Sequence, residues 1–154
     1  MATVLDLIDN LKEINVKKIS TKAIELNKGE LVLINQGQLF VGENNRGESF
    51  KKYRWPEYAK QKNEQNPNPG LGYPDLKLTG SFYRSFFAEV KGDNIIIDAR
   101  DKKKEWLMEH YSTRKKGQLI FGLTPDNTEV FIETCFAPDV KKLIEEQTGL
   151  KFTT

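Results

Sequence analysis

The sequence predicts an α+β domain in which a small antiparallel sheet packs against a long helix from the N-terminal half and a proline-interrupted C-terminal helix. Three observations carry this. Asn94 to Ala99 (NIIIDA) sets three β-branched residues side by side, which suits a strand better than a helix, and Lys91-Gly92-Asp93-Asn94 reads as a hairpin turn after an aromatic-rich strand from Phe82 to Val90. Thr124-Pro125-Asp126 offers a capping hydroxyl, a ring already at helical φ and a carboxylate at the positive end of a helix dipole. From Thr3 to Ile14, Val4, Leu5, Leu7, Ile8 and Leu11 recur at helical spacing.

Taken in order, residues 1–18 form a helical arm. Ser20 or Thr21 caps a longer helix running to about Val41, with Ile24, Leu31, Ile34 and Val41 along one side. Gly29 and Gly37 weaken that helix by ~1 kcal/mol each relative to alanine, and its central Leu31 to Ile34 also fits a strand. Gly42 to Gly47 is a loop, and Pro56 to Lys62 gives one or two helical turns. Residues 63–74, rich in proline, glycine and asparagine, read as an extended loop arm. Gly80 then permits a turn before the aromatic strand. Asp101 starts a helix through about Tyr111. In the last helix Val130, Phe131, Cys135 and Phe136 face inward, with Val140, Leu143 and Ile144 beyond Pro138, which must kink the helix or start a second one. Gly149 ends it, and residues 149–154 are a tail.

A chain of 154 residues fits one domain, residues 1–154. No apolar run approaches the ~20 residues of a membrane span, so no membrane association is expected. Asp6, Asp9 and Asn10 interrupt what would be a secretory signal, so the chain is expected to stay where it is made. One cysteine, Cys135, and one histidine, His110, exclude an internal disulfide and a zinc site of nitrogen and sulfur ligands. There is no nucleophile elbow, P-loop or dinucleotide motif, so no cofactor is expected and His110 reads as structural or solvent-exposed.

The net charge of +2 argues for no polyanion by itself, but the cations cluster. Lys51, Lys52 and Arg54 form one knot, and Arg100 with Lys102, Lys103 and Lys104 a second. Arg114, Lys115 and Lys116 form a third, and Lys141 with Lys142 a fourth. Each is either a solvated face or a contact to DNA or an acidic partner. Lys102 to Lys104 stand out because cations at a helix start oppose its dipole. One catalytic pattern also occurs. Pro74-Asp75 followed by Glu89-Val90-Lys91 resembles the motif of a metal-dependent nuclease superfamily, in which Asp75 and Glu89 would hold a divalent cation and Lys91 would help the attacking water.

The order Asp75-Leu-Lys-Leu-Thr-Gly80, an aromatic strand, a Gly-Asp-Asn turn, a β-branched strand and Phe121-Gly-Leu-Thr-Pro-Asp-Asn127 resembles the phage virion-morphogenesis or tail-completion family. That family includes relatives in crAss-like and other Bacteroidetes phages. The segment from Gln38 to Lys62 is also similar, so the resemblance spans roughly Gln36 to Gly149. Where the family often carries Pro-x-Arg, this chain has Gly117-Gln118-Leu119-Ile120. The resemblance implies a non-enzymatic subunit of a head-to-tail connector or tail-terminator ring in the virion, made in the host cytoplasm. Its implied partners are copies of itself, portal or adjacent connector and tail proteins, and double-stranded DNA held non-specifically in the lumen. The three basic knots at 51–54, 102–104 and 114–116 are then candidates for the lumen or the subunit interface. A metal-dependent nuclease or a DNA-binding accessory protein is the alternative.

Overall fold

A computed structural model describes residues 3–65 and 72–152. The expected class is present: helices surround one two-stranded antiparallel sheet. Helix α1 (Val4–Lys12) opens with a reciprocal cap, the Thr3 hydroxyl accepting from the Asp6 amide while the Asp6 carboxylate accepts from Thr3. The expected long helix occurs as two segments, α2 (Val16–Leu26) and α3 (Lys28–Phe40). Its cap is Asn15, not Ser20 or Thr21, and residues 16–18 of the expected arm belong to α2. Asn27 makes the break: its φ of −113° leaves the helical range, and its amide donates to the Ala23 carbonyl at 2.8 Å and to Asp139 at 2.6 Å.

Helix α4 (Pro56–Gln65) runs longer than the one or two turns expected, into the segment read as a loop arm, of which residues 66–71 lie outside the described residues. Gly80, at φ 80°, makes the anticipated turn, but Ser81–Arg84 is a single helical turn, α5, and not strand. The Arg84 amide donates back to the Gly80 carbonyl and the Ser85 hydroxyl donates to Phe82, so the strand starts only at Phe86. Strands β1 (Phe86–Lys91) and β2 (Asn94–Ala99) pair from Phe86 with Ala99 to Lys91 with Asn94. The two-residue loop has glycine first, Gly92 at φ 59°, as a type II′ turn requires. Helix α6 (Lys104–Tyr111) begins three residues after Asp101, whose carboxylate caps a preceding turn through the Lys103 amide.

The C-terminal helix starts as expected, Thr124 accepting from the Asn127 amide ahead of α7 (Pro125–Phe131). Pro138 is absorbed by a π-helical turn over Ile132–Phe136 that leads into α8 (Ala137–Thr148). One extra residue in the turn before proline relieves its clash with the carbonyl four residues back. Val130, expected inside, is exposed, whereas Phe131 is buried. Gly149, left-handed at φ 73°, closes the helix, and residues 153–154 of the tail lie outside the described residues.

Two apolar clusters hold these elements. The larger joins Leu39, Phe50, Phe82, Leu107, Ile120 and Phe121, with Phe86 edge-on to Phe82 at 5.0 Å. The smaller joins Leu31 of α3, Ala88 of β1 and Phe131 of α7, which places the sheet against both helices. Between them runs an irregular segment, bent at residues 120–122 and tied down by side-chain amides. Asn35 donates to the Ile120 carbonyl and accepts from the Gly122 amide, each at 3.0 Å. Gln38 donates to the Gly122 carbonyl at 3.0 Å and accepts from the Thr124 amide at 2.9 Å. Residues 120, 122 and 124 thus pair with two amides one helical turn apart, much as a strand pairs with a neighbour. Among the described residues no helix is long and apolar enough to cross a membrane.

Candidate functional site

Helix α4 buries a single side chain, and it is a lysine. Lys62 reaches Asp75, which is 0% exposed and also accepts from the Lys77 amide at 3.0 Å. Tyr83 donates its hydroxyl to the Asp75 carbonyl, and the next residue, Leu76, sits at φ 56°. A branched side chain in that region is a true backbone outlier, tolerated because the buried pair fixes the loop on both sides of it. Above this floor lies a cleft of about 170 Å³. Tyr53, Tyr58 and Lys62 line one wall and Lys103, Trp106 and Tyr111 the other.

Tyr53, within the first sequence-predicted basic knot, and Lys103 of the second thus line one cleft. Phe50 packs edge-on against Tyr111 at 5.3 Å, which seats the irregular segment carrying Lys51, Lys52 and Arg54 beside α6. Lys52 lies over the Tyr73 ring at 5.1 Å and Arg54 over Trp55 at 5.2 Å. In the second knot Lys102 and Lys103 are exposed, while Lys104 bonds to Asp98 at 3.2 Å, which holds its ammonium above the usual pKa. The helix-start lysines thus have separate duties: one staples the helix to the hairpin and two face outward. In the third knot Lys116 binds Glu48 at 2.6 Å and pulls that carboxyl below its usual range, leaving Arg114 and Lys115 exposed.

Asp75, Glu89 and Lys91 stand in different surroundings. Asp75 is closed to solvent and engaged by Lys62, whereas Glu89 and Lys91 share the outer side of β1, as their alternation requires, and pair with each other at 3.0 Å. A closed, lysine-paired carboxylate presents no open coordination position. Among the described residues no group of three or more His, Cys, Asp or Glu side chains is placed to hold a metal ion.

Among the described residues two apolar surfaces lack cover. In α1, Val4 and Leu5 are each 72% exposed, and Ile8 and Leu11 are exposed beside them. No residue of that helix is buried, although it lies near α8. Elsewhere an apolar groove of about 530 Å³ opens between Ile24, Leu31, Ile95, Phe121, Phe131 and Phe136.

The tyrosines around Asp75 give the site a pH signature. Burial first, and the Asp75 charge after it, raise the hydroxyls of Tyr53 and Tyr83 well above their usual pKa, and burial does the same for Tyr111. A raised folded-state pKa contributes stability that is complete below the unfolded value, 10.0, and lost as pH rises through the folded one. The thermal midpoint is therefore expected to fall steadily from about pH 10 upward. Tyr83→Phe is expected to flatten that fall, measured by melts across the alkaline range; an equally steep fall in the variant would remove Tyr83 from this role.

Sequence reasoning found the two basic knots of this face but missed the Lys62–Asp75 pair and the Asn35 and Gln38 amides. The signal for Asn35 was its i+4 spacing from Leu31 on the buried side of α3. Comparison with protein-family models, curated proteins and solved structures returns no match for the chain.

Proposed function

We propose that this chain is a non-enzymatic structural subunit of a phage head-to-tail connector or tail-terminator ring, located at the head-tail junction or in the tail. Copies associate side by side, portal or adjacent connector and tail proteins bind along the axis, and double-stranded DNA passes non-specifically through the lumen. The observation that carries this reading is the pair of uncovered apolar surfaces. An amphipathic helix with its apolar side in water and a groove lined by Ile95, Phe121 and Phe131 are different patches, so their contact is head-to-tail. Contacts of that kind repeat by rotation until a ring closes.

Light scattering and native mass measurement test the proposal. The purified chain is expected to form a discrete ring, and Val4→Asp with Ile8→Asp to shift it to monomer without loss of helical signal. A wild-type chain that stays monomeric at high concentration and in the presence of portal and tail proteins would overturn it.

A further inference from the structure

The geometry points to a nucleic-acid site distinct from any passage of duplex through a ring: the cleft between α4 and α6 binds single-stranded nucleic acid. It takes an unpaired base against Trp106 and Tyr58 and the flanking phosphates on Lys102, Lys103 and the loop from Lys51 to Arg54.

The size fits first. The 170 Å³ cleft is close to the ~150 Å³ cavity that admits a benzene ring, so one aromatic ring enters and a peptide helix does not. The walls fit next. Trp106 is 60% exposed and stacks on His110 at 5.1 Å and 11°, and Tyr58 stands exposed in the same cleft, edge-on to Tyr53 at 5.2 Å. Exposed aromatic rings flanked by cations are what a base-stacking surface requires, and stacking is available only to bases not already paired in a duplex.

The charges point the same way. Around the cleft Asp75 is engaged by Lys62, Asp98 by Lys104, and Asp101 by the Lys103 amide. Lys62, Lys77 and Lys103 line the cleft and no carboxylate does, while Lys52, Arg54 and Lys102 are exposed and next in sequence to lining residues. The strained Leu76 on the cleft floor is a further sign of a site, since such backbone persists where the surroundings over-determine it.

Fluorescence anisotropy of the full chain with a short labelled oligothymidine, and with a duplex of equal length, tests this. The single strand is expected to bind more tightly than the duplex, to quench tryptophan emission, and to weaken steeply with salt. Trp106→Ala is expected to weaken single-strand binding roughly ten- to a hundredfold, with Trp106→Phe restoring part of it, since stacking is worth about 1–3 kcal/mol per base. Lys102→Glu with Lys103→Glu is expected to lower the salt slope, whereas Lys142→Glu on α8 changes neither. Equal binding of the two nucleic acids with no effect of Trp106→Ala would reduce the face to an electrostatic contact and overturn the proposal, as would no binding at low salt. Neither outcome depends on whether the chain forms a ring.

Discussion

Asp75→Ala is expected to lower the unfolding free energy by about 3–5 kcal/mol, the cost of leaving a buried charge without its partner. Lys62 is 7% exposed and is the only buried side chain of α4, so once Asp75 is gone its ammonium must either stay desolvated or leave with the helix. Leaving is the cheaper course, because α4 has no buried apolar side chain to hold it. The same substitution is therefore expected to abolish amide-exchange protection over residues 56–65 well before the rest of the chain opens. Lys62→Met combined with Asp75→Asn should recover much of the loss, since no orphaned charge remains and the side-chain amide oxygen introduced at position 75 still accepts from the Lys77 amide. Urea unfolding of Lys62→Met, Asp75→Asn and the double closes the cycle, with Asp75→Ala measured beside it. A single substitution costing less than about 1 kcal/mol would show that the pair is not what holds α4 down.

How far this was readable beforehand differs between elements, for physical reasons. The hairpin, the Thr124 start and the Gly149 stop were legible because each depends on residues adjacent in the chain: β-branched side chains, a capping hydroxyl, a glycine with positive φ. The break at Asn27 was not, since its amide is drawn out of the helix by Asp139, 112 residues away. Phe82 and Tyr83 read as strand by composition, yet Gly80 and the Ser85 hydroxyl fold them into a turn. The candidate site followed the same division. Cation clusters are local and visible, but that Tyr53 of one and Lys103 of the other line one cleft depends on Phe50 meeting Tyr111 across the core. Asp75 stood out in the sequence for metal chemistry and not for its lysine, because a carboxylate before an aromatic segment has the same spelling in either role.

Asn35→Leu is expected to cost about 2–5 kcal/mol, although leucine fills nearly the same space. Asparagine at this fully buried position satisfies two backbone groups at once, the Ile120 carbonyl and the Gly122 amide, and leucine satisfies neither. Each orphaned group carries a desolvation penalty of about 1–3 kcal/mol. Gln38 cannot cover the loss, because its own amide is already committed to Gly122, Thr124 and Asn127. The effect should spread along the chain from there. Phe121 and Leu123 lie in the same irregular segment and line the apolar groove, and Thr124 caps α7, so loosening residues 120–124 deforms the surface proposed to receive a neighbouring copy. Asn35→Leu should thus weaken assembly at temperatures where the fold persists. Asn35→Asp is expected, when ionised, to accept from Gly122 but to lose the bond to Ile120, and to regain a donor for that carbonyl once protonated, so that it stands nearest to wild type at acidic pH. Thermal melts paired with mass measurement decide between the two effects: a melt shifted with no change in assembly would confine the amide pair to stability, and no shift at all would mean that water replaces the asparagine.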